Sequence, residues 1–316
     1  MKEIMLTVLG SINVDHVISV SHFVTPGETL QGKEYNIAYG GKGANQAVAC
    51  ARLKTNNLNV QFLGCVGHDA IGKEIKEALV NEGLQTSSIQ IDKDNLTGIA
   101  FIQVDSKGEN SIVISSGANA SVNAQYVEQH TQEIIKSDYL LMQLETPLDA
   151  IEKASELAKK YQVKVILNPA PAQKLPNKLL QQIDVITPNE TEAEILSGIK
   201  VYDKESAQKA ANFFHKNGVE LVLITLGAKG VFCSEKGKGK GNIISGFKVE
   251  PVDTTAAGDT FNGAFVCALT EGKSIEEAII FGNAAGALSV TKHGAQPSIP
   301  NRCDVKDFIT KSIKNS

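Results

Sequence analysis

Apolar residues run almost unbroken from Ile4 to Leu9 and stop at Gly10, the pattern of a strand buried on both faces of a sheet. From position 60 onward, short apolar runs alternate with longer stretches whose apolar residues recur at helical spacing. The runs predict strands at 60–66, 139–144, 163–167, 185–187 and 220–225. The stretches predict helices at 70–82, 124–136, 148–161, 191–197 and 204–217. Such a β-α-β-α rhythm folds as a parallel sheet with helices on both faces and right-handed crossovers. Four β-prone pieces fall outside it: 16–21 and 34–39, separated by the turn Thr25-Pro26-Gly27-Glu28, and 97–105 and 111–115, joined through 106–110. No helix alternates with them, which predicts a small antiparallel sheet spanning about 15–40 and 97–116. A sheet of that kind can cover an active site or join two subunits. No repeat, low-complexity block or linker divides the chain, so residues 1–316 read as one α/β domain with this lid. The Gly-Lys tract 236–241 reads as a solvated hairpin tip.

Composition narrows the picture only a little. With 42% hydrophobic and 21% charged residues the chain belongs among globular proteins, and 316 residues suffice for a large core. A net charge of −4 lacks the basic face of a general nucleic-acid binder. No apolar run approaches the ~20 residues of a membrane span, and the short run before Gly10 reads as a first strand, not a signal peptide. The five cysteines form no C-x-x-C pair and the six histidines show no metal-ligand spacing. A reducing, cytoplasmic location without nucleic-acid or membrane partners is the expectation.

The candidate chemistry lies elsewhere. Asp253-Thr254-Thr255-Ala256-Ala257-Gly258-Asp259-Thr260-Phe261-Asn262-Gly263 follows an extended segment, 247–252, and leads into an apolar run, 264–269. That is a strand or loop opening into a buried helix. Ala256, Ala257 and Gly258 fall where the first free N–H groups point outward, at the positive end of the helix dipole, and so form a phosphate site. Asp259 sits in the first turn, where a carboxylate can take a proton from a hydroxyl attacking that phosphate; a plain helix cap is the competing use. The second stretch, Gly40-Gly41-Lys42-Gly43-Ala44-Asn45-Gln46-Ala47, opens an Ala-rich helix. Its glycines let the backbone approach a ligand that Lys42 and Asn45 can face, or simply make a tight turn; it is neither a Walker A loop nor G-x-G-x-x-G. Asn13 and Asp15, two apart, share a face in extended chain and suit neighbouring hydroxyls of a polyol, or an ordinary turn. Glu145, Asn168, the run 187–192 and the run 225–230 follow further strands. So many polar strand ends at one edge outline a ligand cleft.

Residues 40–49 resemble the N-terminal signature of the ribokinase-like (PfkB) sugar kinases, and 253–263 their C-terminal signature. The two occur in family order about two hundred residues apart, and 10–16, 142–145, 168–172, 187–192 and 294–300 add to a likeness covering nearly the whole chain. The resemblance implies a parallel-rich sheet sandwiched by helices, a small β lid, and ATP-dependent phosphorylation of D-ribose at O5. It implies that Asn13, Val14, Asp15, Gly41, Lys42, Gly43, Ala44, Asn45 and Glu145 hold the sugar. Asp259 would then be the base, with Ala256, Ala257 and Gly258 as the anion hole. Asn189, Thr225, Leu226, Gly227, Ala228, Lys229 and Gly230 would line the nucleotide site with Gly258, Asp259 and Asn283. Asn283 lies in a variable part of the family pattern, and Ala228 stands where the nucleotide loop often carries a hydroxyl. Asn189 and Glu192 match an Asn-x-x-Glu motif that positions Mg²⁺ through water. Asp253, Thr255, Ser289, Lys292, Gly294 and Ser298 match a site for a monovalent cation, usually K⁺. The expected partners are ribose, ATP and a second copy bound through the lid. The alternatives are a kinase for 2-deoxyribose or another sugar or nucleoside, a non-catalytic nucleotide-binding regulator, and a dinucleotide oxidoreductase. The regulator has no use for the Asp259 carboxylate, and the oxidoreductase lacks its G-x-G-x-x-G.

Overall fold

Ile4–Leu9 forms the strand β1 that its apolar run requires. The computed structural model describes residues 3–314. After β1 come β2 (Asn13–Ser19), β3 (Tyr35–Gly40), α1 (Lys42–Leu53), β4 (Leu58–Gly67), α2 (Ala70–Asn81) and β5 (Ile89–Asp92). β6 (Gly98–Val104), β7 (Asn110–Ser115), α3 (Ala124–Gln129), α4 (Thr131–Ile135), β8 (Tyr139–Met142) and α5 (Leu148–Lys160) follow. Then come β9 (Lys164–Leu167), α6 (Asn177–Leu180), β10 (Val185–Ile186), α7 (Glu190–Ser197), α8 (Lys204–Lys216) and β11 (Leu221–Thr225). β12 (Val231–Glu235), β13 (Asn242–Ile244), α9 (Ala257–Thr270), α10 (Ile275–Ser289) and α11 (Arg302–Lys314) complete the order.

Among the described residues the main sheet has nine strands in the order β13-β12-β11-β10-β9-β8-β1-β4-β5. It is parallel from β11 to β5, with β12 and β13 antiparallel at one edge. Side-chain alternation sends the inner strands of the main sheet into two cores. Leu6 and Val8 of β1 and Leu221 and Leu223 of β11 face Val48 of α1, Phe265 of α9 and Ile279 of α10. Leu9 and the pair Val222 and Ile224 face Val127 of α3, Ile151 of α5 and Phe214 of α8. Helix α9 is buried along most of its length, between α1 and α10. Gly263 permits this: a Cβ there would lie 2.5 Å from the Cβ of Ala49. Gly263→Ala would overpack the contact at about 1–3 kcal/mol.

The small sheet forms separately, in the order β3-β2-β6-β7. Its outer pairs are antiparallel, but the central pair, β2 on β6, runs parallel. Between β2 and β6 the chain crosses through the main body, so the second hairpin arrives pointing the same way. The helix expected over 124–136 is interrupted at His130, whose ring Nδ1 donates to the Tyr126 carbonyl, the same acceptor its backbone N–H uses. The segment 247–252 carries no strand, so the loop reading of this approach to α9 holds. The tract 236–241 links β12 to β13 at the sheet edge, as a hairpin tip should.

Candidate active site

The first glycine-rich stretch lies directly against the loop leaving β1. A Cβ on Gly43 would fall 2.5 Å from the Gly10 carbonyl carbon, and one on Gly41, whose φ is 87°, 2.8 Å from Asn13 N. Ala44 N donates to Ser11 O at 2.9 Å, locking the two segments together. Glu145, from the loop after β8, then accepts Ser11 Oγ at 2.5 Å and Lys42 N at 2.9 Å on one carboxylate oxygen. A negative charge at the N-terminus of α1 is favourable in itself, so Glu145 braces the site as well as facing it. Asn13 and Asp15 stand on β2 and not in a turn, which places both side chains on one face. Asn119 donates to Asn13 Oδ1 at 2.8 Å, fixing that amide. A Cβ on Gly40 would come 2.2 Å from Asp15 Oδ2, so only glycine leaves room for that carboxylate.

The second stretch supplies the reactive end. Ala256 takes the left-handed conformation (φ 59°) and starts α9 without a side-chain cap. Gly258 borders open space: a Cβ placed on it would meet no atom within 4 Å. Ala257 N turns back onto Thr254 O at 3.3 Å, which leaves the amides on either side as the better anion donors. Asp259 is only 7% exposed. Its Oδ2 accepts Asn45 Nδ2 at 3.0 Å and its Oδ1 accepts Gln46 Nε2 at 2.9 Å. Asn45 Oδ1 is buried with no protein partner, the state of an acceptor that a substrate hydroxyl would satisfy.

Charges concentrate here. Burial pushes the Asp259 carboxyl above its ordinary range, against the pull of Lys42, Gln46 and Asn45. Burial, then the neighbouring Glu145 and Asp259, push Asp15 up to about 6. Burial also raises Glu192, opposed by its hydrogen bond from Asn189 and by Lys42. Burial works against the Lys42 ammonium, but Asp259, Glu145, Glu192 and Asp15 together hold its pKa above the ordinary value. Lys42 is thus the shared counter-charge of four carboxylates that approach from different elements.

The expected nucleotide residues fall into two groups. Asn189 pairs with Thr225 in an isolated parallel bridge, and Asn189 and Glu192 form a capping box at the start of α7. Gly227 (φ 57°) has open space around it, whereas Gly230 packs on the backbone of Ile244 and Gly246. Asn283 donates its Nδ2 to the carbonyls of Ile244 and Ser245 at 3.2 and 3.1 Å, so it braces this wall and keeps only Oδ1 for a ligand. A cavity of about 1100 Å³ between β12–β13 and α10 meets the wall only at Ile244–Gly246 and holds none of Asn189 and 225–230. A smaller one, about 410 Å³, is lined by Glu145, Leu144, Pro171 and Ile114 of β7, so the small sheet borders Glu145.

The expected cation residues differ in the donors they offer. Among the described residues no group of three or more His, Cys, Asp or Glu side chains forms a metal cluster. Glu192 offers one committed oxygen, bonded by Asn189 N at 2.8 Å, and a second for a hydrated hard cation, which fits Mg²⁺ held through water. The Asp253 carboxylate accepts Thr255 N, Thr255 Oγ1 and Gly294 N at 2.9, 2.6 and 2.8 Å, and its pKa is lowered because these bonds outweigh burial. Those bonds gather Asp253, Thr255 and Gly294 at one point, while Lys292 N donates to Ser289 O at 3.2 Å. A carboxylate tied to the 294 turn in this way is the one formally charged oxygen donor of the expected set, the donor type a hard cation takes. Ser298 is buried, and its hydroxyl donates to Ala295 O.

Ser11, Gln46, Asn119, Gln143, Thr187 and Asn262, to which no sequence pattern gave a role, tie these groups together. Their only advance signal was polarity next to an apolar strand or inside a glycine-rich motif.

A buried carboxylate beside an open helix N-terminus, with amides and acids opposite, marks an α/β phosphotransferase for a small polyol. The comparisons make this specific: the profile of the pfkB family carbohydrate kinases matches residues 3–302, and the chain belongs to that family. It is 60% identical to a ribokinase of Haemophilus influenzae over 96% of this chain and 98% of that one. Identity to a ribokinase of Staphylococcus aureus is 45%, over 93% and 96% of the two chains. The solved structure of Arabidopsis thaliana ribokinase complexed with ribose and ATP superposes with a TM-score of 0.90 at 35% identity, covering 98% of this chain and 99% of that one. Among the described residues no helix is long and apolar enough to cross a membrane.

Proposed function

We propose that the chain transfers the γ-phosphoryl group of ATP to O5 of D-ribose, giving D-ribose 5-phosphate and ADP. The observation that carries this reading is Asp259, buried in the first turn of α9 one residue beyond the open Gly258 and bonded to Asn45. The relatives named above are ribokinases, which supports ribose as the acceptor. Asn13, Asp15, Lys42, Asn45 and Glu145 hold the sugar, with the backbone of Val14, Gly41, Gly43 and Ala44 packed beneath. Asp259 accepts the O5 proton as O5 bonds to the γ-phosphorus and the bond to the β–γ bridging oxygen breaks. The amides of Ala256 and Gly258, on either side of the Ala257 N–H that turns back onto Thr254 O, stabilise charge on the transferred group, which is most of what phosphoryl transfer asks of a protein. Asn189, 225–230 and Asn283 hold the nucleotide. Mg²⁺, held through water by Asn189 and Glu192, supplies charge neutralisation on the phosphates when bound. Asp253 with main-chain oxygens of Thr255, Ser289, Lys292 and Gly294, and Ser298 nearby, would hold K⁺ and order the 253–257 loop.

The chain acts as one cytoplasmic kinase domain, with 15–40 and 97–116 closing over the sugar and pairing with the same sheet of a second copy. The cross-strand row Ile37–His16–Phe101–Val113 supports this pairing. Its apolar members are 57%, 53% and 67% exposed, on the face away from Asp15. An ADP-release assay across pentoses, hexoses and nucleosides tests the function. Ribose should give the highest kcat/KM, and a preference for a nucleoside or for 2-deoxyribose would overturn it.

A further inference from the structure

We propose that Gln46 is a positioning residue that fixes the rotation of the Asp259 carboxylate, as the central link of a buried amide relay joining the base to the anion hole. This rests on Asp259 being the base. Gln143 Nε2 donates to Gln46 Oε1 at 2.6 Å, and Gln46 Nε2 donates to Asp259 Oδ1 at 2.9 Å and to Asn168 Oδ1 at 3.0 Å. Asn168 Nδ2 donates to the Thr187 carbonyl at 3.1 Å, and Thr187 Oγ1 donates to Asn262 Oδ1 at 2.7 Å. Asn262 Nδ2 closes the line on the carbonyl of Gly258 at 2.9 Å. All five relay side chains are buried, Gln46 completely.

The orientations are not arbitrary. A main-chain carbonyl can only accept, so the Thr187 carbonyl forces Asn168 to present Oδ1 to Gln46. Gln46 must then present Nε2 to both Asn168 and the carboxylate, leaving Oε1 for Gln143. The Gly258 carbonyl fixes Asn262 in the same way. Each polar atom of the Gln46 amide is therefore engaged within the protein, whereas Asn45, on the other carboxylate oxygen, keeps its buried Oδ1 without a partner. The two neighbours divide the work: Asn45 faces the sugar, and Gln46 joins the base to its anchors Asn168 and Gln143. Its bond favours the ionised carboxylate, the form able to take a proton. Because the relay ends on the Gly258 carbonyl, the base and the amides that receive the phosphate are registered to the same strand ends.

Gln46→Met keeps the volume and removes the donor; Asn168→Ala leaves Gln46 in place but takes away one anchor. Steady-state kinetics at several pH values should show kcat reduced about 10- to 100-fold in Gln46→Met, the worth of a hydrogen bond to a charged group. The loss in Asn168→Ala should be smaller and in the same direction. KM for ribose and for ATP should stay within about twofold, since both amides are bonded within the protein. The acidic limb of kcat should move to higher pH in Gln46→Met, read against Lys42, Glu145, Asp15 and Glu192, which face Asp259 and remain unchanged. A structural role alone would lower the melting temperature without moving that limb. Unchanged kcat in both folded variants, or a kcat loss with an unmoved limb, would overturn the proposal. A parallel rise in ribose KM would overturn it too, by assigning Gln46 to the sugar clamp. Asp259→Asn measured alongside separates the failures, because normal turnover there removes the base itself.

Discussion

Replacing Asp259 with asparagine removes a proton acceptor while keeping the side chain's size. The carboxylate takes Asn45 on one oxygen and Gln46 on the other. An amide satisfies only one of these donors and turns its own NH₂ toward the second. Gln46 is the better held, by Gln143 and Asn168, so the amide oxygen stays with it and the nitrogen faces Asn45. The lost hydrogen bond costs about 1.5–3 kcal/mol. Against that, the ionised carboxylate is disfavoured by burial, and a neutral amide escapes that penalty. The two effects offset, and the melting temperature should move by only a few degrees, at about 2 °C per kcal/mol for a chain this long. Turnover has no such compensation. Without a base, kcat should fall about 10²–10⁴-fold, or about 3–5 kcal/mol of barrier. KM for ATP should hold, and KM for ribose should rise modestly as Asn45 turns its amide away. An ADP-release assay, with melting curves on the same samples, reads all three quantities. A variant that melts like the parent and turns over near-normally would refute the base assignment.

Asp15→Ala or Asn45→Ala should raise the KM for ribose far more than that for ATP, since each leaves a buried hydroxyl unpaired at about 1–3 kcal/mol; a rise in ATP KM instead would move these residues to the nucleotide half. Burial, then Glu145 and Asp259, push the Asp15 carboxyl up to about 6, so it loses its charge as pH falls through that value. Ribose KM should therefore climb between pH 7 and 5, and Asp15→Asn should flatten the climb. Light scattering should show a dimer that Phe101→Lys weakens, and a fully active monomer at assay concentration would refute pairing through the lid. Activity should rise and saturate as K⁺ replaces tetramethylammonium, with a weaker response in Asp253→Asn; a flat titration would leave Asp253 as the brace its bonds to Thr255 and Gly294 already make it.

What the sequence disclosed follows from how far each signal reaches along the chain. β1, β4 and α8 were legible because burial of one or both faces writes a local apolar pattern. α10 was not, because Ile275–Ser289 is packed nearly all round and its Ala- and Gly-rich run has no polar stripe to mark a helical period. β5 and β13, at the two edges of the main sheet, are four and three residues long with several exposed positions, too short for alternation to register. The parallel pairing of β2 with β6 depends on where the chain travels between them, which neither strand encodes. The site divides along the same line. Asp259, Lys42 and Asn45 stand in glycine-rich stretches whose local geometry announces a ligand. The relay does not, because Gln46 bonds across 213 residues to Asp259 and 122 to Asn168, and no spacing rule spans such intervals. One constraint was nevertheless present from the start. Gln143, Asn168 and Thr187 each end an apolar strand, and parallel neighbours finish at the same edge of the sheet. Polar groups buried together must satisfy one another or a ligand. Their shared burial at the carboxyl edge, next to the buried Asp259 carboxylate, is what makes a network there a requirement of the fold.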